Sequence, residues 1–412
     1  MELKKYKLGE ILDVTRGASL SGEFYATEGK YIRLTCGNFD YQNNCFKENK
    51  SKDNLYYIGD FKPEFLMEEG DIITPLTEQA IGLLGSTAII PESGKYIQSQ
   101  DVAKIICKEE LLDKDFAFYL ISSTLVKQQL SAAAQQTKIR HTSPDKIRDC
   151  TVWIPELTEQ KRIGKLLRSL DRKIELNRAI NQNLEAMAKQ LYDYWFVQFD
   201  FPDENGQPYK SSGGKMVWNE KLKREIPKGW NVAKLTDEIE LQYGFPFSTD
   251  LFTEQVTSVP VVRIRDILDN SISAYTTEEV EERYLLQKQD LLIGMDGNFH
   301  INYWTDNVSY LNQRSVRLRA KNNSNVSIVQ AKYDIQPYIK AKETRTKGST
   351  VGHLSDKDMK ELYVLVCPNE KAREKLDSIL SMIVKNRNEV TFLIKQRNEL
   401  LPLLMNGQII IE

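Results

Sequence analysis

The chain has 412 residues, of which 41% are hydrophobic, and this is enough for two or three globular domains. Its 56 Lys and Arg residues nearly balance 58 Asp and Glu residues, which argues against a strong non-specific nucleic-acid binder but allows local basic loops. No apolar run approaches the ~18 residues of a membrane span, no signal peptide is evident, and the five cysteines form no Cys-x-x-Cys pair. We therefore expect a cytoplasmic protein without a membrane span, a zinc site or a disulfide framework.

Residues 1–155 have the pattern of an α+β domain. Short apolar segments predict strands, and one longer segment near Lys114–Leu130 predicts a helix. The predicted strands are Ile72–Thr74, Thr87–Ile90, Val102–Ile106 and Thr151–Ile154. This mixture favours an α+β arrangement over a doubly wound parallel sheet.

Two loops of this first domain carry side chains suited to DNA. The segment Cys36–Phe46 interleaves amides with aromatic residues, and the segment Gln135–Thr142 is basic. Arg and Lys can pair with guanine O6 and N7, and Asn and Gln with adenine N6 and N7. The same side chains also contact phosphates or simply face solvent. Our candidate DNA-binding residues here are Asn38, Gln42, Asn43, Lys138 and Arg140.

Residues 156–200 predict a first long helix. Apolar residues alternate in steps of three and four, with the polar Asn177 and Asn181 in the middle, which is a heptad seam. The predicted seam positions are Ile163, Leu167, Leu170, Ile174 and Leu184. Residues 201–230 are rich in Pro, Gly and Ser and are interpreted as a surface linker.

Residues 231–367 predict a second α+β domain. Its predicted strands are Val261–Ile264, Leu291–Ile293, Val316–Leu318 and Tyr363–Val366, and its predicted helix lies near Ala331–Ala341. The basic loop Thr344–Thr350 corresponds in position to Gln135–Thr142 of the first domain. It supplies the candidate DNA-binding residues Arg345 and Lys347.

Residues 368–412 predict a second long helix with the same heptad spacing, and Pro402 is expected to bend or end it. Its seam positions include Leu376, Ile383, Val390 and Leu393. Each helix could pack on its own domain. The preferred alternative is that the two helices pack on each other; since the second leaves the second domain, the pair would be an antiparallel coiled coil with a pseudo-twofold axis between two similar domains.

The two domains are interpreted as a duplication. His141 and His353 open similar segments at an offset of 212 (353 − 141), and Asp71 and Asp290 lie in similar segments at an offset of 219 (290 − 71). A period this long indicates a repeated domain rather than a solenoid, although chance similarity of strand and helix patterns is the alternative. We expect both histidines to be structural, and both aspartates to mark strand ends.

The sequence contains no convincing catalytic motif. Ser143–Lys146 fits Ser-x-x-Lys, but the companion motifs are missing. No phosphate-binding loop Gly-x4-Gly-Lys-Ser/Thr and no Gly-x-Gly-x-x-Gly string occur. We therefore predict no catalytic residue and no metal ligand in this chain.

In its ordered, duplicated strings the chain resembles the specificity (S) subunit of type I restriction–modification enzymes. The strings are LGEI (Leu8–Ile11), GDII (Gly70–Ile73), PELTEQ (Pro155–Gln160), QDLL (Gln289–Leu292), MDGNF (Met295–Phe299), HLS (His353–Ser355) and LLPLLMNGQI (Leu400–Ile409). The second long helix departs from the pattern, since it opens with PNEKAREK.

The resemblance implies two target-recognition domains that each read one half of a split, asymmetric site in double-stranded DNA. It also implies partners: two methyltransferase (M) subunits carrying S-adenosylmethionine, and two restriction (R) translocase–nuclease subunits using ATP and Mg. No cofactor is expected on this chain. Two alternatives stay open, namely the recognition subunit of a type IIB-like restriction enzyme and, from a different class, a coiled-coil scaffold without a DNA role.

Overall fold

A computed structural model of the chain describes residues 2–78, 82–133, 140–256, 258–345, 352–409 and 411. The chain divides into two compact units. Unit 1 comprises Met1–Lys173 and Leu393–Glu412, and unit 2 comprises Ile174–Phe392. The boundaries between the two units fall inside the two long helices. Each helix therefore contributes one part to unit 1 and the other part to unit 2.

The elements of the first part of the chain alternate short strands with short helices. They are β1 (Lys4–Lys7), α1 (Leu8–Ile11), β2 (Leu12–Arg16), β3 (Tyr25–Ala26), β4 (Tyr31–Arg33), β5 (Phe39–Asp40), β6 (Cys45–Phe46), β7 (Tyr56–Tyr57), β8 (Ile72–Pro75), β9 (Thr77–Glu78), β10 (Ala88–Ile89), β11 (Tyr96–Ile97), β12 (Val102–Cys107), α2 (Lys114–Ile121), α3 (Thr124–Ala133), β13 (Arg140–His141), α4 (Pro144–Arg148), β14 (Thr151–Ile154) and α5 (Leu157–Tyr192).

The rest of the chain repeats this order after an added hairpin. The elements are β15 (Met216–Asn219), β16 (Arg224–Pro227), β17 (Asn231–Lys234), α6 (Leu235–Glu238), β18 (Ile239–Tyr243), β19 (Phe252–Thr253), β20 (Val259–Val262), α7 (Ile264–Ile267), β21 (Ala274–Thr276), β22 (Leu291–Gly294), β23 (Ile301–Tyr303), β24 (Tyr310–Leu311), β25 (Ser315–Ala320), α8 (Ile328–Arg345), α9 (Asp356–Lys360), β26 (Tyr363–Val366) and α10 (Glu370–Met405).

The two units have the same sheet topology. Unit 1 has a four-stranded sheet in the order β10-β8-β12-β2, and unit 2 has β23-β22-β25-β18. Both also have a second sheet, β11-β4-β7-β3 and β24-β20-β21-β19, in which the pairs β4–β11 and β20–β24 are parallel. In each unit the first strand of the repeat pairs antiparallel with the last, as β1–β14 and β17–β26. The α+β class and the internal repeat predicted from the sequence are therefore confirmed.

Local sequence explains why equivalent turns form. The backbone N–H of Lys7 donates to Glu10 Oε2 at 2.6 Å, and the N–H of Lys234 donates to Asp237 Oδ2 at 3.1 Å, so one acidic side chain starts each single-turn helix. Asp71 and Asp290 lie just before β8 and β22, so they precede these strands, and the expectation that they end strands was wrong. Asp71 pairs with Lys104 at 2.6 Å, and Asp290 makes a bidentate pair with Arg319 at 2.7 Å.

The predicted long helices are also confirmed. Each contains 36 residues, and a short π-helical turn follows α5. Pro402 lies within the last turn of α10, which ends at Met405. The predicted helix Lys114–Leu130 is two helices, α2 and α3, separated at Ser122 and Ser123, and the second predicted helix is longer than expected. No helix of the described segments has the length and apolar character needed to cross a membrane.

Within unit 1 the first part of α5 and the last part of α10 run antiparallel. Ile163 and Leu167 share a hydrophobic core with Leu404 and Met405. Further along α5, Asp171 Oδ1 accepts a hydrogen bond from Arg397 Nη1 at 2.8 Å, in a pair whose side chains are only 10% and 8% exposed. Tyr119 of α2 donates its hydroxyl to the other oxygen of Asp171. The helix pair is thus tied to the globular part of unit 1.

Within unit 2 the helices contribute to a core shared with the second domain. Ala188, Leu376 and Ile383 are buried in this core. Asn181, at one of the polar seam positions, donates its side-chain N–H to the carbonyl oxygen of Ile383 at 3.3 Å. A buried polar side chain within an apolar helix seam favours one register of the two helices.

The predicted seam positions are all buried or half-buried. Ile163, Leu167, Ile174, Leu376, Ile383 and Leu393 are buried, and Leu170, Leu184 and Val390 are half-buried.

The segment 201–230 is a folded part of unit 2 rather than a plain surface linker. It forms the hairpin β15–β16, and Ile226 and Trp230 lie in the core of this unit. Phe201 packs against the same core and against the Trp230 ring, with the ring centroids 4.9 Å apart. The prediction gave weight to the Pro, Gly and Ser content and overlooked these three anchoring residues.

We predict that Arg397→Met destabilises unit 1 by about 3–5 kcal/mol, because it leaves the buried Asp171 carboxylate without its cation. Urea denaturation of the full chain measures this loss. The triple variant Tyr119→Phe, Asp171→Leu, Arg397→Met removes the polar groups together and should recover most of the stability. Equal stability of Arg397→Met and the unsubstituted chain would show that the pair does not hold the helices.

Asp334 of α8 gives unit 2 a pH dependence. Its carboxylate accepts hydrogen bonds from the Tyr192 hydroxyl at 2.7 Å and the Leu365 N–H at 3.3 Å, yet burial raises the pKa of this carboxyl from 3.8 to about 6. A raised pKa in the folded state means that the stabilising contribution is complete below about pH 4 and is lost as pH rises through 6. The loss amounts to roughly 1–3 kcal/mol.

Asp334→Asn should therefore flatten the fall in unfolding free energy between pH 4 and pH 7, as measured by urea denaturation at both pH values. Asp269→Asn, on the exposed surface of unit 2, controls for the loss of one negative charge. If Asp334→Asn keeps the full pH dependence of the unsubstituted chain, another group is responsible.

Candidate nucleic-acid interface

Three equivalent positions in each unit form a polar triad, and each triad includes the histidine at or after the end of the basic segment in the sequence. In unit 1 the triad is Thr77, Asp101 and His141. The Thr77 hydroxyl donates to Asp101 Oδ1 at 3.3 Å and lies 3.4 Å from His141 Nδ1. β9 and β13 hold these groups together, because Thr77 pairs directly with His141 across the two strands.

The triad of unit 2 has the same arrangement with different chemistry. Asp296 takes the central place, with His353 Nδ1 2.6 Å from its Oδ1 and Arg314 Nη1 3.0 Å from its Oδ2. A backbone bridge joins Asp296 and His353, as in unit 1. The expectation that both histidines are structural agrees with these contacts, but both side chains are exposed and lie at the surface.

The positions correspond because the strand pairing around them is equivalent. The carbonyl oxygen of Asp101 accepts from Leu76 N–H at 2.8 Å, and that of Arg314 accepts from Met295 N–H at 2.9 Å. Asp101 directly precedes β12, and Arg314 directly precedes the equivalent strand β25. The repeat thus keeps the framework and reverses the charge of one exposed group.

The basic loops themselves lie mostly outside the described residues. Lys138 and Lys347 are not described, and Arg345 is described only as the last residue of α8, without its side chain. Arg140 is half-exposed and donates to Ser131 Oγ at 3.0 Å, with Glu78 Oε2 3.6 Å away. Their contact with DNA stays a prediction.

The amide-rich loop of unit 1 is more structured than the sequence suggests. Asn38 is 2% exposed, accepts from Thr35 N–H at 2.9 Å and donates to the carbonyl oxygen of Lys47 at 3.3 Å. These contacts occupy its amide within the loop, so we do not include Asn38 in the proposed interface.

The other two amides of this loop lie nearer the surface. Gln42 is exposed, whereas the Asn43 side chain donates to Asp40 Oδ2 at 2.8 Å. The carbonyl oxygen of Asn43 accepts from Arg397 at 3.3 Å, so the loop rests on α10 within unit 1. Of the three predicted amides, only Gln42 has a side chain that is exposed to solvent.

Unit 2 contains a basic cleft that the sequence analysis missed. The cleft is open and about 490 Å³ in volume. Its lining residues are Arg263, Ile264, Arg265, Asn298, His300, Asn312, Gln313 and Arg314. None of them is acidic, and Arg314 belongs to both the cleft and the triad.

Electrostatics within the cleft favour an anionic or acceptor-rich ligand. Arg263 donates through Nη2 to the Ser273 carbonyl oxygen at 2.6 Å and to Ser273 Oγ at 2.7 Å. Burial, followed by the charge of Arg265, lowers the pKa of the Arg263 guanidinium. Guanidinium groups pair well with phosphate oxygens and with the O6 and N7 acceptors of guanine.

Among the described residues, no group of three or more His, Cys, Asp or Glu side chains is placed to hold a metal ion. The polar groups on the surface are hydrogen-bond donors and acceptors on short loops. Such an arrangement suits recognition of a ligand by its hydrogen-bonding pattern.

Comparison with known proteins gives the family. The family described as "Type I restriction modification DNA specificity domain" matches residues 1–186 and 227–400. The type I restriction enzyme MjaIX specificity subunit of Methanocaldococcus jannaschii is 21% identical over 327 residues, which cover 76% of this chain and 73% of that protein. The EcoBI specificity subunit of Escherichia coli is 27% identical over 168 residues, or 38% of this chain and 34% of that protein.

A solved structure shares the fold. The type I restriction–modification S subunit from M. genitalium has a TM-score of 0.62 and 17% identity, and the match covers 98% of this chain and 96% of that chain. The family match spans both units, which removes the alternative of a scaffold without a DNA role. The chain therefore belongs to the type I restriction–modification DNA specificity family, as a DNA-binding recognition subunit that is not itself catalytic.

Proposed function

We propose that this chain reads a bipartite, asymmetric DNA site, with one half-site for each unit. The observation that carries the proposal is the pair of equivalent triads, in which one framework presents different polar groups. Thr77 and Asp101 in unit 1 stand where unit 2 has Asp296 and Arg314. Domains that share a fold but differ in exposed donors and acceptors are suited to reading different base sequences.

The partners follow from the family. We propose that two methyltransferase subunits with S-adenosylmethionine dock on the chain in the cytoplasm and methylate adenines, and that two restriction subunits with ATP and Mg complete the enzyme. The near balance of 56 basic and 58 acidic residues supports a shared grip on DNA, since non-specific affinity comes mainly from phosphate neutralisation.

We further propose that α5 and α10 set the number of unspecified base pairs between the half-sites. Each is an uninterrupted helix of 36 residues, and each contributes residues to both units. A continuous helix has a fixed rise of about 1.5 Å per residue. Its length is therefore a more reliable measure of distance than a flexible linker would be.

Modular reading predicts the outcome of a domain exchange. Replacing residues 231–367 with the matching segment of a relative of different specificity should change one half of the methylated motif and leave the other half intact. Long-read methylome sequencing of cells that carry the chain with its methyltransferase partner measures both halves at once. A change in both halves, or in neither of them, would contradict separate reading.

The helix pair predicts the effect of an insertion. Four helix-forming residues after Ala188 add about 6 Å of helix, while DNA rises about 3.4 Å per base pair. Both half-sites should stay the same, and the unspecified spacer should grow by one or two base pairs, less if the coiled coil absorbs the insert.

The matched control is four Gly and Ser residues after Gly206, an exposed turn residue with φ of 76° in the same unit. That insertion should leave the spacer unchanged in the methylome. A stable, active Ala188 insertion variant that still marks the original spacing would show that the helices do not set it.

A further inference from the structure

Arg314 has a backbone conformation that is unusual for its residue type. Its φ is 63°, in the left-handed region that favours glycine and, among other residues, asparagine. Among the described residues the equivalent Asp101 does not share this positive φ, so the common turn does not require it. Non-glycine residues held in this region concentrate at functional sites, where the surrounding structure maintains the strain.

The fold does not require an arginine at this position either. The backbone contact that anchors the turn is made by the carbonyl oxygen, in Arg314 as in Asp101. The side chain of Arg314 is 70% exposed, and its ion pair with Asp296 lies at the surface. Surface pairs of this kind contribute little to stability. A strained backbone and an exposed arginine together indicate a role outside folding.

The surroundings of Arg314 are suited to an acceptor-rich ligand. Three arginines line one cleft without an acidic residue among its lining side chains. The nearby carboxylates already have partners, because Asp266 accepts from the Arg263 N–H at 3.0 Å and from Ser273, and Asp296 is taken by His353 and Arg314. Asn312 and Gln313 add amide groups next to Arg314.

We propose that Arg314 is a specificity-determining residue of unit 2, donating two parallel hydrogen bonds to O6 and N7 of a guanine in the half-site of this unit. The inference rests on the proposed function, and it adds the residue and the base. The guanidinium is a planar fork whose fixed geometry matches these two acceptors, whereas the lysine ammonium is a point charge that can approach them but lacks this fixed geometry. Asp296, which accepts from Nη1, is a positioning residue that orients the fork.

The test compares Arg314→Gly and Arg314→Lys in the full chain, assembled with its methyltransferase partner. Glycine suits the positive φ, so Arg314→Gly should fold and melt at the temperature of the unsubstituted chain or slightly above it. The matched control is Arg283→Ala, since Arg283 is also an exposed arginine of unit 2 paired with an acid, and it lies outside the cleft. The readouts are the methylated motif and competition binding of oligonucleotides that differ at one base pair.

Arg314→Gly should lose preference for one G·C pair in one half-site, with affinity for the intact site falling about 5- to 150-fold. Arg314→Lys should weaken the same preference although it keeps the charge, because the ammonium lacks the fixed geometry of the fork. Arg283→Ala should keep the full motif, and in all variants the other half-site should stay specified.

Three outcomes would overturn the inference. Both Arg314 variants could keep the motif, as expected if Arg314 contacts only a phosphate or nothing. The lost pair could be other than G·C. Finally, Arg314→Lys could keep the full base preference, which would show that the planar fork does not read the base. These outcomes differ from failure of the proposed function. In that case the complex with the unsubstituted chain would itself show no bipartite motif.

Discussion

The buried pair of Asp171 and Arg397 is the interaction that the rest of the molecule depends on, because it joins residues 226 positions apart in sequence. Removing two charges from water is costly and is offset only when geometry and further hydrogen bonds are good. Here Tyr119 supplies the second hydrogen bond to the carboxylate. The end of the chain is thereby made part of unit 1, and α10 must pass through both units to reach it.

The pairing of α5 with α10 through Asp171 and Arg397 also affects the register of the heptad seam. Apolar seam positions alone would allow several registers, since Leu and Ile side chains are nearly interchangeable along a helix pair. Asp171 with Arg397 in unit 1 favours one alignment, because a shift by one turn would leave a buried charge without its partner. Asn181 in unit 2 adds a buried polar side chain to the seam, with a hydrogen bond to the carbonyl oxygen of Ile383. Polar residues therefore give the helices a defined register, which a distance-setting element needs.

The sequence predicted the elements whose signal is periodic and long. Both 36-residue helices and the duplicated order of domains could be predicted because heptads and a repeat are visible without structure. Many strands could not be predicted, since strands of two residues such as β3 and β9 have no measurable alternation. The hairpin in 201–230 was missed for a related reason: its fold depends on a few aromatic anchors within a polar segment.

The recognition surface was predictable only in part. Basic and amide-rich loops led to the predicted DNA contacts, but composition does not reveal that the Asn38 amide is used inside its own loop. The cleft of unit 2 draws on residues 263–265, 298–300 and 312–314, which sheet pairing brings together from three separate stretches. The sequence signal that could have identified part of this cleft is an alignment of the two repeats, which places Arg314 at the position of Asp101.

The same comparison shows how one fold can present different polar groups in its two copies. Groups that hold the framework keep their chemistry across the repeat, as Asp71 and Asp290 do with their basic partners on the neighbouring strand. Exposed groups beside the basic loops change, including a reversal of charge. Because backbone bonds rather than side chains anchor the exposed turns, these positions can vary at little cost to folding. The chain as a whole stays near neutral, which agrees with the proposal that contacts with bases, more than a general attraction to phosphates, decide where it binds.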